Sequence, residues 1–236
     1  MSRLADRLAD LAATAMFRAT TVTEVSRLSP AFTRVRLTDE AFRKQVWTPG
    51  AKLQIRPRRG SFSFRTYTPV SWDEAQGAVE LIAYLHGDGP ASQWFKRVAV
   101  GDTCEVFGPR ASIDLPGVTG PVVFAGDESS VALACALRTL TDDVSYVFES
   151  DDPAGLDEIL AGLNLAERAT SVARTADRAA LLGHLREAAS GGPYTLVVTG
   201  DAATVHAVRR DSRTWASGPR QIKGKAYWAE GRAGLD

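Results

Sequence analysis

The sequence predicts a two-part β + α/β protein, in which an antiparallel six-stranded barrel precedes a doubly wound parallel sheet. The first half of the chain shows polar–apolar alternation, and the second half shows unbroken apolar runs separated by helical segments. Alternation is typical of strands with one buried face, whereas unbroken runs are typical of parallel strands covered on both faces. A turn bracketed by Gly117 and Gly120 separates the two patterns, and 236 residues suffice for two hydrophobic cores.

Residues 1–17 are predicted to form an amphipathic N-terminal helix or extension. Leu4, Leu8, Leu11 and Ala15 recur at helical spacing and would lie on one face. Acidic and basic residues interrupt the apolar positions, so neither a signal peptide nor a membrane span is expected here. A frayed terminus is the alternative interpretation.

Residues 18–117 are predicted to form the barrel. Alternating segments occupy residues 33–37, 52–56 and 79–85, and glycine or proline turns follow them. Residues 91–98 form the one helical interruption. Several short strands separated by turns at this spacing are typical of a small antiparallel barrel.

Residues 118–236 are predicted to form the α/β domain. The predicted strands are 121–125, 144–148, 171–173, 194–198 and 225–228, and the predicted helices are 129–139, 156–163, 178–189 and 202–210. Strands that alternate with helices in this way indicate a parallel sheet with helices on its faces.

The charge balance limits the possible partners. Lys and Arg number 28, as do Asp and Glu, so the formal net charge is zero. Neither nucleic acid nor a membrane surface is therefore expected as a main partner, because such binding needs an excess of basic residues. Two cysteines, Cys104 and Cys135, are too few for a disulfide framework, and a cytoplasmic location is expected.

The neutral total conceals three segments of one sign. Residues 41–72 carry seven basic residues and no acid, whereas residues 139–166 carry seven acids and no base. Residues 212–229 carry four further basic residues without an acid. A local basic surface could thus receive an anion, although solvated faces of opposite sign would give the same pattern.

The first motif of chemical interest is Arg65-Thr66-Tyr67-Thr68. Arginine can donate two hydrogen bonds to a phosphate, and a phenol ring can lie against a flat heterocycle. In an extended segment Arg65 and Tyr67 share one face. Alone, the tetrapeptide is equally consistent with an ordinary surface strand.

The second motif begins at His86 and runs through Gly89, Pro90, Ala91 and Ser92 into the predicted helix. Small residues before a helix allow a ligand to approach its unpaired N–H groups, and that end of a helix favours anions such as a pyrophosphate. The alternative is a tight turn in which Ser92 caps the helix.

The third motif is the strand-to-helix turn formed by Asp127, Glu128, Ser129 and Ser130, which follows Gly126. A similar turn occurs at residues 200–202. The turn that contains Asp127 lacks the three spaced glycines of the dinucleotide fingerprint. Both turns nevertheless follow predicted parallel strands, and ligands of open α/β sheets bind at that edge.

Taken in order, these segments resemble the siderophore-interacting proteins, FAD-dependent ferric-siderophore reductases of the ferredoxin-reductase-like superfamily. The similarity runs from about residue 18 to the end of the chain. The matching segments are 65–68, 86–94, 101–110, 126–130, 200–202 and 225–231.

The resemblance implies an FAD-binding barrel over residues 18–117 and an NAD(P)H-binding domain over residues 118–236. It implies that segment 65–68 holds the flavin ring and phosphates and that segment 86–92 closes over them. Segment 127–130 would lie where NAD(P)H meets the flavin. Lys52 and Arg110 would receive an anionic ferric siderophore or chelate.

The implied reaction is hydride transfer from NAD(P)H to FAD, followed by electron transfer to Fe(III) and release of Fe(II) for iron assimilation. No catalytic side chain is expected, because the flavin supplies the redox chemistry. A monomer or weak homodimer is expected.

The sequence departs from the family pattern at several positions. Val70 stands where a second arginine is usual, and Ala229-Glu230 stands where a basic residue is usual; Lys223 and Lys225 are candidate substitutes in the substrate pocket. Two alternatives therefore stay open. One is an NAD(P)H–flavin oxidoreductase acting on another acceptor in biosynthesis, and the other is a non-enzymatic siderophore-binding or carrier protein.

The nucleotide preference is predicted in opposite directions by two arguments. Glu149 ends the second predicted strand of the α/β domain, where an acid commonly bonds the ribose 2′-hydroxyl. Asp151 and Asp152 strengthen that argument for NADH. The family resemblance favours NADPH, and Arg174 could bind a 2′-phosphate.

Overall fold

The computed structural model describes residues 16–57 and 64–232, so residues 1–15 of the predicted N-terminal helix lie outside the described residues. The chain divides into two units. The first comprises residues up to Trp47 together with Ala51–Arg110, and the second comprises Thr48–Gly50 together with residues from Ala111 onward. The domain boundary at residue 118 stays a prediction.

The first unit contains one antiparallel sheet, with seven strands in the described residues. They are β1 (Arg18–Ser29), β2 (Phe32–Thr38), β3 (Lys52–Arg56), β4 (Arg65–Tyr67), β5 (Pro69–Asp73), β6 (Ala78–Tyr84) and β7 (Thr103–Arg110). The sheet order is β4-β3-β7-β1-β2-β6-β5. Helix α1 (Pro90–Arg97) lies between β6 and β7 in the chain.

The sheet curls into a barrel because its two edge strands are consecutive in the chain. Only Thr68 separates β4 at one edge from β5 at the other. The predicted barrel class is confirmed, with one strand more than the six predicted. The extra strand arises because the extended run from Arg65 to Asp73 pairs with β3 before Thr68 and with β6 after it.

The inward side chains of the barrel form its core. Val35 and Leu37 of β2, together with Leu53 of β3, are fully or almost fully buried and belong to one hydrophobic cluster. Phe95 of α1 joins the same cluster, and thereby fixes the helix against the barrel. Burying a side chain of this size contributes roughly 1.5–3 kcal/mol.

The second unit contains a five-stranded parallel sheet. Its strands are β8 (Val122–Gly126), β9 (Val144–Ser150), β10 (Ala169–Ala173), β11 (Thr195–Asp201) and β12 (Gln221–Trp228). Its helices are α2 (Val131–Arg138), α3 (Pro153–Gly162), α4 (Ala179–Ala188) and α5 (Ala202–Asp211). The strand order is β10-β9-β8-β11-β12, and every pair is parallel. This confirms the predicted doubly wound sheet.

The strand order reverses between β8 and β11. Open α/β sheets bind ligands in the crevice that forms at the carboxyl ends of the strands at such a point. The turn that follows β8 and the turn that ends β11 are thereby brought side by side. Asp201 caps α5 by accepting a hydrogen bond from the N–H of Thr204, which starts the helix directly at the end of β11.

Among the helices of residues 16–57 and 64–232, none combines the length and apolar character that crossing a bilayer requires.

Candidate functional site

The predicted Arg-Thr-Tyr-Thr motif lies on the edge strand β4. Arg65, Thr66 and Tyr67 pair with Ile55, Gln54 and Leu53 of β3. Arg65 is exposed, whereas Thr66, Tyr67 and Thr68 are half-buried. The Arg65 guanidinium donates a hydrogen bond to the carbonyl of the adjacent Phe64 at 2.8 Å. A cation is thus presented at the barrel surface.

Tyr67 is held in place by the barrel core. Its ring meets that of Phe95 edge-on, with the ring centroids 5.0 Å apart. Burial raises the pKa of the Tyr67 phenol, so the hydroxyl stays neutral near pH 7. Because Phe95 lies in α1, this contact joins the Arg65–Tyr67 strand directly to the helix that follows the second motif.

The second motif forms an exposed turn and the first turn of α1. Gly89 is the N-cap residue, and the first helical hydrogen bond runs from the N–H of Gln93 to its carbonyl at 3.0 Å. The N–H groups of Ala91 and Ser92 precede that bond and have no carbonyl partner within the helix. Pro90 has no N–H to satisfy. This end of the helix is therefore suited to an anion.

Ser92 does not cap the helix, which corrects the alternative interpretation of this motif. Its hydroxyl donates to the carbonyl of His86 at 2.9 Å, and so ties the turn to α1. His86 itself is exposed, and its ring stacks on Tyr84 at 5.7 Å between centroids. A Cβ atom added to Gly87 or Gly89 would meet nothing within 4 Å, so the backbone of the turn is open to a ligand.

Lys52 and Arg110, the predicted chelate-binding cations, are cross-strand neighbours on β3 and β7. Lys52 is only 7% exposed, whereas Arg110 is exposed. The Arg110 guanidinium lies 5.2 Å from the ring centroid of Phe107. The structure places the two side by side, and their binding role stays a prediction.

Two further cations of the basic segment form ion pairs with carboxylates of the same unit. Arg56 is buried and forms an ion pair with Glu105 at 2.7 Å, and its guanidinium lies over the ring of Phe17. Arg43 pairs with Glu40 at 3.0 Å. The segment therefore offers a ligand less positive charge than the count of basic residues indicates.

In the second unit, Asp127 lies at the reversal point of the sheet and is only 1% exposed. One carboxylate oxygen, Oδ1, accepts from the N–H of Ser129 at 2.9 Å. The other, Oδ2, accepts from the N–H of Asp201 at 2.9 Å and from Nε1 of Trp228 at 2.7 Å. Burial raises the pKa of Asp127, and the hydrogen bonds from the Ser129 hydroxyl and the Trp228 indole oppose the shift. Asp127 thus fastens together the ends of β8, β11 and β12.

The glycines of the two turns are required by close packing around Asp127. Gly200 has φ +109°, and a Cβ atom there would lie 2.4 Å from Oδ2 of Asp127. A Cβ atom at Gly126 would lie 2.6 Å from Cβ of Ser130. The hydroxyl of Ser130 in turn accepts a hydrogen bond from Thr199 at 2.9 Å. The two turns therefore form one interlocked structure.

Arg174, at the end of β10, is surrounded by three carboxylates. Its Nη2, Nη1 and Nε atoms lie 2.7, 3.0 and 3.2 Å from Glu128, Glu149 and Asp151 respectively. The guanidinium also lies 5.5 Å from the ring centroid of Trp228. Burial alone would lower the pKa of Arg174, but the neighbouring carboxylates outweigh it and raise the pKa.

The structure brings Glu149 to this cluster, but buries it. It is only 1% exposed, and its Oε1 accepts hydrogen bonds from Arg174 and from the hydroxyl of Thr204. Among the described residues, the buried Oε2 has no hydrogen-bond partner. Burial raises the pKa of Glu149. Its contact with a ribose stays a prediction, as do the nucleotide contacts of segment 127–130.

Sequence reasoning missed the polar residues that complete this network. Arg178 donates from Nη2 to Asp201 at 2.9 Å and from Nε to the hydroxyl of Thr204 at 2.6 Å. Trp228 lies within the matching segment 225–231, which is the one signal for it in the sequence. Arg178, Thr204 and Trp228 are all remote in sequence from Asp127 and Glu149.

Lys223 and Lys225 project from one face of β12, two residues apart. The Nζ atom of Lys223 lies 3.0 Å from the carboxylate of Asp114, and the Nζ atom of Lys225 lies 3.1 Å from the hydroxyl of Ser112. The structure therefore brings both lysines to the segment 112–114. Their role in substrate binding stays a prediction.

Comparison with known proteins finds a family model, a curated relative and solved structures that are similar to this chain. Residues 48–113 match the siderophore-interacting FAD-binding domain family. The NADPH-dependent ferric-chelate reductase of Escherichia coli K12 is 26% identical over 242 residues, covering 90% of this chain and 92% of the relative. The resemblance to the siderophore-interacting proteins that the motifs indicate is confirmed.

Two solved structures share the fold. The siderophore-interacting protein SipS of Aeromonas hydrophila superposes with a TM-score of 0.73 at 21% identity, covering 92% of this chain and 93% of that one. A ferredoxin NADP+ reductase of Neisseria gonorrhoeae, solved with bound FAD and NADP, gives a TM-score of 0.69 at 16% identity, with 90% and 99% coverage. The ferredoxin-reductase-like architecture is thereby confirmed.

Proposed function

We propose that this protein is an NAD(P)H-dependent FAD oxidoreductase that reduces ferric chelates, with an anionic ferric siderophore as the preferred class. The observation that carries the proposal is the open N-terminus of α1, joined through the Tyr67–Phe95 contact to an exposed arginine. This arrangement lies within the segment that matches the siderophore-interacting FAD-binding domain. The proposed compartment is the cytosol, and the proposed state is a monomer or weak homodimer.

The residues of the first unit fit FAD. The N–H groups of Ala91 and Ser92 would bind the pyrophosphate at the start of α1, and the open glycine turn would admit it. Arg65 would add a charge-assisted hydrogen bond to a phosphate, and Tyr67 would offer an uncharged hydroxyl to a polar edge of the ligand. Thr66, Thr68 and His86 would complete the flavin site.

When bound, FAD accepts a hydride from NAD(P)H, which carries two electrons, and passes them one at a time to two Fe(III) ions. The protein's part is to bind and orient the reactants. The carboxyl ends of β8 and β11, with the turn 127–130 between them, are the proposed nucleotide site. Oxygen donors hold Fe(II) less tightly than Fe(III), so reduction would release the metal.

Cations are proposed to attract the negatively charged chelate. Lys52 and Arg110 are adjacent on the barrel, and Lys223 and Lys225 share one face of β12. The first pair is the stronger candidate because Arg110 is exposed, whereas Lys223 is buried against Asp114. Charge attraction of this kind mainly raises the rate of encounter and is weakened by salt.

A second candidate function is reduction of a different acceptor by the same flavin. Glu230 is exposed just after β12, where the family commonly has a basic residue. A carboxylate there lowers the attraction for an anionic chelate. The two candidates share the FAD and NAD(P)H sites and differ only in the electron acceptor.

The test of the FAD site compares Arg65→Ala with Lys44→Ala, which removes an exposed cation from the same unit. Binding of FAD to the apoprotein is followed by flavin fluorescence. We expect Arg65→Ala to weaken FAD binding by about tenfold, the loss of one charged hydrogen bond. Lys44→Ala should bind FAD as the wild type does. Equal affinity in the two variants, or no FAD binding by the wild type, would contradict the proposed site, and the second result would favour a carrier.

The test of the chelate site is Lys52→Ala, assayed with ferric citrate and a colorimetric Fe(II) trap. We expect a raised KM for the anionic chelate with FAD content unchanged, because charge attraction is lost while the flavin site is intact. An unchanged KM would remove Lys52 from the substrate site. Reduction of free flavin or quinones without Fe(II) release would favour the second candidate.

A further inference from the structure

Arg174 and the three carboxylates around it, those of Glu128, Glu149 and Asp151, lie where the choice between NADH and NADPH as electron donor would be made. The following inference rests on the proposed function. The cluster lies at the carboxyl ends of β8, β9 and β10, beside the reversal point of the sheet. Nucleotide ribose groups are bound at this edge in doubly wound sheets, where an arginine accommodates a 2′-phosphate and an acid bonds a 2′-hydroxyl.

Arg174 is the residue that would have to bind a 2′-phosphate, and three of its five N–H donors are already hydrogen-bonded to carboxylates. Each of its three nitrogen atoms lies within 3.2 Å of a different carboxylate, on Glu128, Glu149 and Asp151. One face of the guanidinium lies over the ring of Trp228. A phosphate could bind side-on, through Nε and Nη2, only by displacing Asp151 or Glu128.

The electrostatic field at this edge also opposes a phosphate. Three carboxylates face the single positive charge of Arg174, and the second arginine of the network, Arg178, is paired with Asp201. The side chain of Arg174 is only 20% exposed, so solvent screens these charges less than it would at an open surface. A group carrying two negative charges would be repelled, whereas a hydroxyl would find acceptors.

We infer that this site selects NADH over NADPH, with Asp151 as the acceptor for the ribose hydroxyls and Arg174 withheld from phosphate binding by its three carboxylates. Asp151 suits this role because its side chain is 78% exposed, whereas Glu149 is buried. The N–H of Asp151 donates to Oε1 of Glu128 at 3.1 Å, which fixes the backbone that presents the carboxylate. Glu149 is then a positioning residue, which holds the Arg174 guanidinium in place through its ion pair with Nη1.

The inference is tested by measuring the binding of two adenosine probes by calorimetry. 5′-ADP carries a free 2′-hydroxyl, and 2′,5′-ADP carries a 2′-phosphate. We expect the wild type to bind 2′,5′-ADP at least about tenfold more weakly than 5′-ADP, because juxtaposed like charges disfavour it. In Asp151→Asn the ratio of the affinity for 2′,5′-ADP to the affinity for 5′-ADP should rise, since one carboxylate no longer opposes the phosphate.

Further variants separate the role of Arg174 from a general change of charge. Glu128→Gln combined with Asp151→Asn releases two of the three nitrogen atoms, and we expect 2′,5′-ADP binding to improve by a further several-fold. Adding Arg174→Ala to that variant should abolish the gain. Asp157→Asn removes an exposed acid of α3 and should leave the ratio at its wild-type value. Asp151 is exposed, so its variant tests the inference even where the buried Glu128 substitution impairs folding.

Tighter binding of 2′,5′-ADP than of 5′-ADP by the wild type would overturn the inference, as would an unchanged ratio in Asp151→Asn. Absence of binding by either probe would also overturn it. Reduction of the bound flavin by each nucleotide, followed anaerobically, separates these outcomes from failure of the proposed function. Reduction by NADPH in preference to NADH would refute the selectivity alone, whereas reduction by neither would refute the nicotinamide-dependent function.

Discussion

At the residue scale, Asp127 shows how one buried carboxylate can join several segments. It accepts hydrogen bonds from the N–H groups of Ser129 and Asp201 and from the indole of Trp228. Each such bond contributes roughly 1 kcal/mol, and leaving one donor buried without a partner costs more than that. The turn that follows β8 is thus fixed by an acid that stands at the proposed nucleotide site.

The raised pKa of Asp127 has a defined effect on stability. Between the ordinary carboxyl pKa and the raised one, the folded protein binds more protons than the unfolded chain, so the free energy of unfolding falls as pH rises. Asp127→Asn removes this titrating group. We expect the free energy of unfolding of the variant to fall less steeply with pH over that interval than that of the wild type. The variant should also be less stable by about 1–3 kcal/mol at neutral pH, because an amide accepts with one oxygen only.

Trp228→Phe is the complementary variant, since it removes the indole N–H that donates to the Asp127 carboxylate and leaves an aromatic ring at that position. We expect the interval of falling stability to extend to higher pH. Urea unfolding at a series of pH values measures both effects. A slope in Asp127→Asn equal to that of the wild type would show that Asp127 does not titrate in this interval.

The individual contacts of this site could be predicted only in part. Asp127 and its serines were found from the position of the turn after a strand. The pairing of Arg174 with Glu128 and Glu149 could not be predicted. It depends on the order of β8, β9 and β10 across the sheet, which a single sequence does not specify. The burial of Glu149 could not be predicted either, because the residue pattern of its strand does not show whether the end of the strand is exposed.

At the element scale, α1 is held at both ends. Ser92 ties its beginning to the carbonyl of His86. At its other end Arg27 of β1 donates to the carbonyls of Phe95 and Val98, the latter at 2.7 Å, and to the hydroxyl of Thr33 at 2.9 Å. These bonds satisfy carbonyl groups that a helix end leaves without partners and place a positive charge at the negative end of the dipole.

Arg27→Ala should therefore weaken FAD binding without removing any proposed contact to FAD. We expect a loss of about 1 kcal/mol, or roughly fivefold in Kd, because the helix N-terminus is held less firmly. Arg27→Lys, which keeps the charge, should recover part of the loss. Fluorescence titration of the apoprotein with FAD measures the effect. Wild-type affinity in Arg27→Ala, alongside a weakened Arg65→Ala, would show that α1 needs no such support.

Regular elements were the most predictable part of the fold. The alternation in residues 33–37, 52–56 and 79–85 coincides with β2, β3 and β6, because one face of each strand is committed to the core. The division of the run after Arg65 into β4 and β5 was not predictable. It depends on which partner each half meets when the barrel closes, and that is set by distant segments.

At the scale of the whole molecule, the zero net charge arises from segments of opposite sign rather than from even mixing. In the structure, part of the positive charge of the basic segment is paired with carboxylates. Arg56 and Arg43 of the basic segment are paired with Glu105 and Glu40 in the barrel unit. Lys52 and Arg110 are cross-strand neighbours on β3 and β7. The acidic segment supplies Glu149 and Asp151 to the cluster around Arg174. The proposed chelate site is therefore smaller than the run of basic residues.

The central claim is that electrons pass from a nicotinamide nucleotide through FAD to a ferric chelate. Its most direct test is to reduce the FAD-loaded protein with NADH under anaerobic conditions and then mix it with ferric citrate, while recording flavin absorbance and trapped Fe(II). We predict reoxidation of the flavin with about two Fe(II) formed per FAD, because a hydride carries two electrons. Flavin that is reduced by NADH but stays reduced in the presence of ferric citrate, with no Fe(II) trapped, would contradict the claim.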